Sequence, residues 1–187
     1  CWVYLDNHDT ARITDTIPDA AARWLATVLQ FTLPGSVNIY QGTEIGQPGG
    51  IDPANRAPMR WDWVNDDNRV LNGYRRLIAI RKQQPALRVG DLRWLVTERL
   101  LGFQRYTDRV AEAVFVLANP SPVNVRETVL LPDSKLMDRC GLVDQLSGER
   151  YQNFRSTLEI ELGPNQVVVL VPDTAARDGY TGYKRVQ

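Results

Sequence analysis

The chain opens on an apolar run, Trp2-Val3-Tyr4-Leu5, that stops abruptly at Asp6-Asn7-His8-Asp9-Thr10. Apolar residues at successive rather than alternate positions mark a strand covered on both faces. Residues 1–5 are therefore predicted to lie inside a sheet, with neighbours on both sides. Thr16, Pro18 and Asp19 then supply helix-start chemistry, because proline fits the first turn and an acid is favourable beside unpaired main-chain N–H groups. Ala21, Trp24, Leu25, Val28 and Phe31 follow at three- and four-residue spacing and predict one apolar helix face, which Leu33-Pro34-Gly35 ends. Val37 to Tyr40 reads as a second strand. Strand, helix and strand in this order make a crossover unit whose two strands run parallel.

Residues 41–68 show no period and carry many glycines and prolines, as expected of a long loop of the kind that is usually functional. Val70, Leu71, Tyr74, Leu77, Ile78 and Arg81 mark a second amphipathic helix, closed by the basic turn Arg81-Lys82 and by Pro85. After Leu87 the texture changes to short alternating runs: Leu92–Val96, Leu100–Tyr106, Ala113–Leu117, Val125–Leu131, Leu142–Leu146, Leu158–Leu162 and Val167–Val171. Polar or turn residues separate them at the spacing of an antiparallel sandwich. The junction is expected within Gln84 to Gly90, giving an α/β part over 1–88, an all-β sandwich over 89–172 and a polar, surface-draped or disordered tail over 173–187.

With 187 residues and 43% hydrophobic content, the chain can bury a substantial core. Lysine plus arginine and aspartate plus glutamate balance at 22 each, so no basic surplus points to nucleic acid or to an anionic membrane, and a neutral ligand is expected. No apolar stretch is long enough to span a bilayer, and the first residues carry neither a basic leader nor a signal-like run, which leaves the compartment undecided. Cys1 and Cys140 lack CxxC spacing, and a disulfide between them stays open. One histidine and no acidic loop of calcium-binding form imply no metal and no cofactor.

The candidate chemistry sits where the first strand ends. His8, the sole histidine, stands between Asn7 and Asp9, with Arg12 close behind. One reading is a strand-end turn in which Asn7 and Asp9 satisfy local main-chain groups and Asp9 pairs with Arg12. The other is a pocket at the C-terminal end of a barrel strand, where enzymes of that architecture keep their reactive groups.

Three stretches, in order along the chain, resemble one known family. Leu5-Asp6-Asn7-His8-Asp9-Thr10-Ala11-Arg12 resembles the fourth sequence region of the α-amylase family, glycoside hydrolase family 13. The stretch from Leu33 to Gly46 is similar to that family's eighth barrel strand and the loop after it, and Gly49 to Trp61 is similar to the segment that follows. The resemblance implies the C-terminal fragment of a TIM (β/α)8 barrel, made of the last two βα units, followed by the C-terminal β-sandwich domain. It implies that Asp9 is the carboxylate that stabilises the positively charged transition state, and that His8 donates to a hydroxyl of the same sugar. Asp52 and Arg56 match positions that hold the next sugar in oligosaccharide-acting members, with a loop salt bridge as the competing reading. Glu44 is either a site residue or a buttress of its loop, and Trp61 and Trp63 read as packing residues in preference to sugar platforms.

Glycoside hydrolysis usually needs two carboxyl groups flanking the bond. The family's nucleophilic aspartate, on a strand carrying arginine-x-aspartate, and its acid/base glutamate are both expected to precede Cys1 and to be missing from this chain. Asp6 is not assigned the nucleophile's role, because strand alternation turns it away from the face of Asn7 and Asp9. Two of eight strands cannot close a barrel. The expected partners are therefore an α-glucan or maltooligosaccharide, and either the missing N-terminal part of the barrel or another copy of the chain. The expected function is the C-terminal portion of an α-glucan-active hydrolase, inactive alone. The alternative is a non-catalytic carbohydrate-binding or structural β-sandwich module.

Overall fold

A computed structural model describes residues 1–133 and 136–173. The chain falls into two compact units that divide after Gln83.

The first unit is a strand–helix–strand–helix arrangement. Strands β1 (Trp2–Val3) and β2 (Ser36–Val37) pair in parallel, with Trp2 opposite Ser36 and Val3 opposite Val37. Both are shorter than the apolar runs predicted. Among the described residues β1 has one partner strand, so Trp2 is 72% exposed and Tyr4 52% rather than covered on both sides. Between the strands run α1 (Ile13–Thr16), a single turn that the sequence pattern did not predict, and α2 (Ala20–Thr32). Asp19 caps α2 by accepting from Ala22 N at 2.7 Å, as its acid side chain and the preceding proline forecast. Leu25, Val28 and Phe31 are buried, while Ala21 lies outside the apolar face. Gln30 of α2 donates to Val3 O and Asn38 O, tying the helix to the ends of both strands.

The predicted loop contains three single 3₁₀ turns, Thr43–Ile45, Ala54–Arg56 and Trp61–Trp63. Helix α3 (Arg69–Gln83) begins where Asn68 Oδ1 accepts from the main chain of Val70 and Leu71. Its Leu71, Tyr74, Leu77 and Ile80 are buried, and Tyr74 meets Phe31 of α2 edge-on at 5.7 Å between ring centroids. Val70 and Ile78, assigned by spacing to the apolar face, fall at its margin and stay exposed. Arg81 in the last turn donates to Phe31 O and Gly35 O, both at 2.5 Å, and so closes α3 onto the α2–β2 turn.

The second unit starts with α4 (Pro85–Val89), where the sequence reading saw only a junction. Pro85 ends one helix and opens another. Buried Arg105 donates to Leu87 O, Gly90 O and Asp91 O at 3.3, 2.7 and 3.2 Å. A six-stranded antiparallel sheet follows in the order β3 (Asp91–Trp94), β4 (Leu101–Tyr106), β5 (Val114–Ala118), β10 (Val167–Pro172), β7 (Gly141–Asp144) and β8 (Arg150–Gln152). Strands β6 (Val125–Leu130) and β9 (Thr157–Leu162) form a second antiparallel sheet.

Every predicted apolar run becomes a strand, and β8 is added, its short polar sequence giving no signal. Strand β9 alternates strictly and buries Leu158, Ile160 and Leu162, while β6 buries Val125 and Val129 with Glu127 half-buried between them and Leu130 exposed; Arg126 and Glu159 pair on the open face. Central strands β5 and β10 are buried along their whole length. Phe115, Leu117, Val168 and Leu170 join the inward residues of β6 and β9 in one apolar core, so the two sheets face each other across it. Asp173 prolongs the pairing by donating its N–H to Gly141 O and forming an ion pair with Arg150. The rest of the predicted tail, 174–187, lies outside the described residues. Cys1 is exposed, Cys140 is buried, and both are free thiols.

Candidate functional site

The turn after β1 is built around Asp6. Three residues past β1, it is only 2% exposed, and Oδ2 accepts from Ile13 N at 2.9 Å and Oδ1 from Thr43 Oγ1 at 2.7 Å. One carboxylate thus fixes the start of α1 and the 3₁₀ turn after β2. Both oxygens of Asp6 are engaged in holding the turn.

Residues 7–10 then bulge into solvent as a compact turn. Asn7 Oδ1 accepts from Asp9 N at 2.8 Å, and Asn7 N donates to Thr10 Oγ1 at 3.1 Å. This local bonding was one of the two readings of the cluster, but the pairing expected with it is absent. Asp9 meets Arg56, Nη2 to Oδ1 at 3.2 Å, while its Oδ2 lies 3.1 Å from His8 Nε2. Arg56 Nε in turn lies 2.9 Å from Asp52 Oδ1. His8, Asp9, Arg56 and Asp52 therefore form one continuous row of polar groups, each between half and two thirds exposed.

Arg12, expected as the partner of Asp9, is instead fully buried. Its guanidinium lies 4.1 Å from the centroid of Tyr40, and Nη1 donates to Gln41 O at 2.5 Å. Tyr40, read as a strand residue, serves here as a stacking surface. Sequence reasoning also missed Asn55, a 1% exposed side chain whose Nδ2 donates to His8 O and Thr10 O, both at 2.9 Å. Nothing in a loop asparagine marks it as a strap across 45 residues of sequence. Buried Gln47 is a second such clamp, donating to Ala57 O and Pro58 O and accepting from Arg60 N. Gly42, at φ 88°, adopts the left-handed conformation that lets Gln47 N return to Gly42 O at 2.9 Å.

The remaining candidates divide. Glu44 sends one oxygen into the protein, where Oε2 is buried. Together with Asp6 it helps burial raise the Tyr74 phenol to about 12, against a hydrogen bond with Thr27 that pulls the other way. Trp61 is 74% exposed, so the packing role preferred from sequence does not hold for it. Trp63 is half-buried under Arg60, whose guanidinium lies 4.6 Å from its ring. The triplet Arg60-Trp61-Asp62 does spell arginine-x-aspartate, but it lies on a 3₁₀ turn and not on a strand. Arg60 engages both oxygens of Asp62 at 3.0 and 2.7 Å and holds that carboxyl below its usual range. A cavity of about 250 Å³ among α1, α2, Thr43–Gly46 and α3 includes none of the four aligned residues. Among the described residues no cluster of histidine, cysteine and acid side chains could hold a metal ion, and no helix is long and apolar enough to cross a membrane.

Residues 1–67, which contain the whole row, match the family model described as the alpha amylase catalytic domain. The chain belongs to the α-amylase family. Over 164 residues it is 34% identical to the cyclomaltodextrinase of Geobacillus thermopakistaniensis, covering 86% of this chain and 27% of that protein. Neopullulanase 2 of Thermoactinomyces vulgaris is 30% identical over 171 residues, covering 90% of this chain and 29% of that one. The alpha-amylase of Geobacillus thermoleovorans, determined in complex with acarbose, superposes with a TM-score of 0.78 at 25% identity, over 91% of this chain and 38% of its own. This α-amylase-family chain thus spans well under half the length of each of these relatives.

Proposed function

We propose that the chain is the C-terminal portion of an α-glucan-active glycoside hydrolase of the maltodextrin- and oligosaccharide-acting type. Its first unit is the last two βα units of a (β/α)8 barrel, and its second the C-terminal sandwich. The observation that carries this reading is the row His8–Asp9–Arg56–Asp52, assembled at the C-terminal end of a parallel strand.

In this reading Asp9 faces the sugar at the bond to be broken. Its carboxylate hydrogen-bonds hydroxyls and offsets the positive charge that builds on the ring as the leaving group departs. His8 Nε2 is placed to share a hydroxyl with Asp9. Arg56 and Asp52 hold the neighbouring sugar, the guanidinium donating and the carboxylate accepting, as a diol requires. The nucleophile and the acid/base come from residues outside this sequence, supplied by a preceding part of the barrel or by another chain. An α-glucan is the substrate, and no cofactor enters the reaction.

The test is release of reducing ends from maltotetraose by this chain and by the product of the longer reading frame, each with Asp9→Asn alongside. The expected result is no turnover by the chain alone, and turnover by the longer protein that the substitution lowers by about a thousandfold or more. Turnover by the chain alone would place the missing carboxylates within these 187 residues. Full activity of the substituted longer protein would remove Asp9 from the reaction.

A further inference from the structure

Arg12 reaches from the turn after β1 to the segments around Gln41 and Gly49. Its main-chain N–H donates to Gly49 O at 2.8 Å, its guanidinium stacks on Tyr40, and Nη1 holds Gln41 O. Its stem lies so close to Gly49 that a Cβ there would stand 3.0 Å from Arg12 Cγ, 3.0 Å from Asn55 Cα and 2.7 Å from Ala54 O. Arg12, Gly49 and the 3₁₀ turn that carries Arg56 are therefore stacked in direct contact. Asp15 Oδ2 completes the strap by accepting from Gly49 N at 2.7 Å.

The same guanidinium is an expensive way to fill that space. It is fully buried, no carboxylate of the described residues lies within 4.0 Å of it, and Nε and Nη2 have no hydrogen-bond partner among them. A buried cation without an acid lowers stability compared with an apolar side chain of similar length. Packing alone does not account for an arginine here. A planar group that can lie flat on a ring while it reaches a carbonyl at the end of β2 does account for it.

We infer that Arg12 is a positioning residue that braces the Gly49–Arg56 segment against Tyr40 and Gln41 and so helps to set Arg56 between Asp9 and Asp52. It touches no substrate and acts through the two backbone segments that it clamps. The consequence for sugar binding rests on the function proposed above, whereas the clamp itself does not.

The test compares this chain with its Arg12→Met and Arg12→Lys variants in two measurements. Methionine keeps the apolar stem and removes the buried charge; lysine keeps a charge without a plane. In hydrogen–deuterium exchange, both variants are expected to exchange the Ala54 and Arg56 amides at least about tenfold faster, with the melting temperature of Arg12→Met held or raised. Exchange unchanged in that turn, or rising only in step with a lower melting temperature, would overturn the clamp. In titration with maltotriose, both variants are expected to bind about tenfold more weakly than the parent chain. Parent-like affinity would overturn the positioning role. Absence of binding by the parent chain would overturn sugar binding by these residues on their own, while the exchange result would still decide for or against the clamp.

Discussion

The guanidinium of Arg56 stands 3.2 Å from the carboxylate of Asp9, a residue 47 positions earlier in the chain. Both are about half exposed or more, so the pair contributes about 1 kcal/mol or less to stability. Such an arrangement is better suited to ligand exchange than to holding a fold. Arg56→Ala is expected to shift the urea midpoint of this chain by little while weakening maltotriose binding about tenfold or more. Calorimetric titration beside equilibrium denaturation separates the two effects.

Asp6 has the opposite character. It is buried and accepts from Ile13 N and Thr43 Oγ1. Asp6→Ala leaves two donors unpaired and is expected to cost about 2–4 kcal/mol in urea denaturation, with Asp6→Asn costing less because one acceptor oxygen remains. Equal loss in both would show that the charge, rather than the hydrogen bonds, holds the turn.

Tyr74 gives the first unit an alkaline limit. Burial raises its phenol from 10.0 to about 12, so the unfolded chain sheds this proton first as pH rises. The neutral phenol's contribution is complete below pH 10 and is lost between 10 and 12. Tyr74→Phe is expected to flatten that decline while lowering stability at pH 8 by about 1 kcal/mol through loss of the Thr27 hydrogen bond. Melting curves from pH 8 to 12 measure both.

Arg105 ties the Leu87–Asp91 turn to β4. A fragment of residues 84–173 keeps the carbonyls of Leu87, Gly90 and Asp91 that accept from this buried guanidinium, and a fragment of 91–173 loses Leu87 O and Gly90 O. The shorter fragment is expected to be less stable by about 2 kcal/mol or more, read from thermal circular dichroism. A β-type spectrum is expected for both, and a helix-rich one would contradict the fold.

Much of this architecture is legible in the pattern of residues. Thr157 to Leu162 alternate because one face of their sheet meets the core, and the period survives in the sequence as written. Asp19 before an apolar helix face announces its own cap. His8 and Asp9, at the abrupt end of an apolar run, stand out as candidates, but their residue types fit a plain strand-end turn equally well, and only the resemblance to the α-amylase family favours a site.

What local pattern could not assign is the use of each charge. Arg12 and Arg56 are the same residue type in the same polar neighbourhood, and the nearer one in sequence looked the better partner for Asp9. The fold reverses that choice. Arg12 turns inward onto Tyr40 and Gln41, and the loop returns Arg56 to the carboxylate. Side-chain alternation and helix caps depend on residues within a few positions of each other, so the chain spells them out. Ion pairs and buried straps depend on which distant backbone segment arrives within about 3 Å, and only the closed tertiary structure determines that.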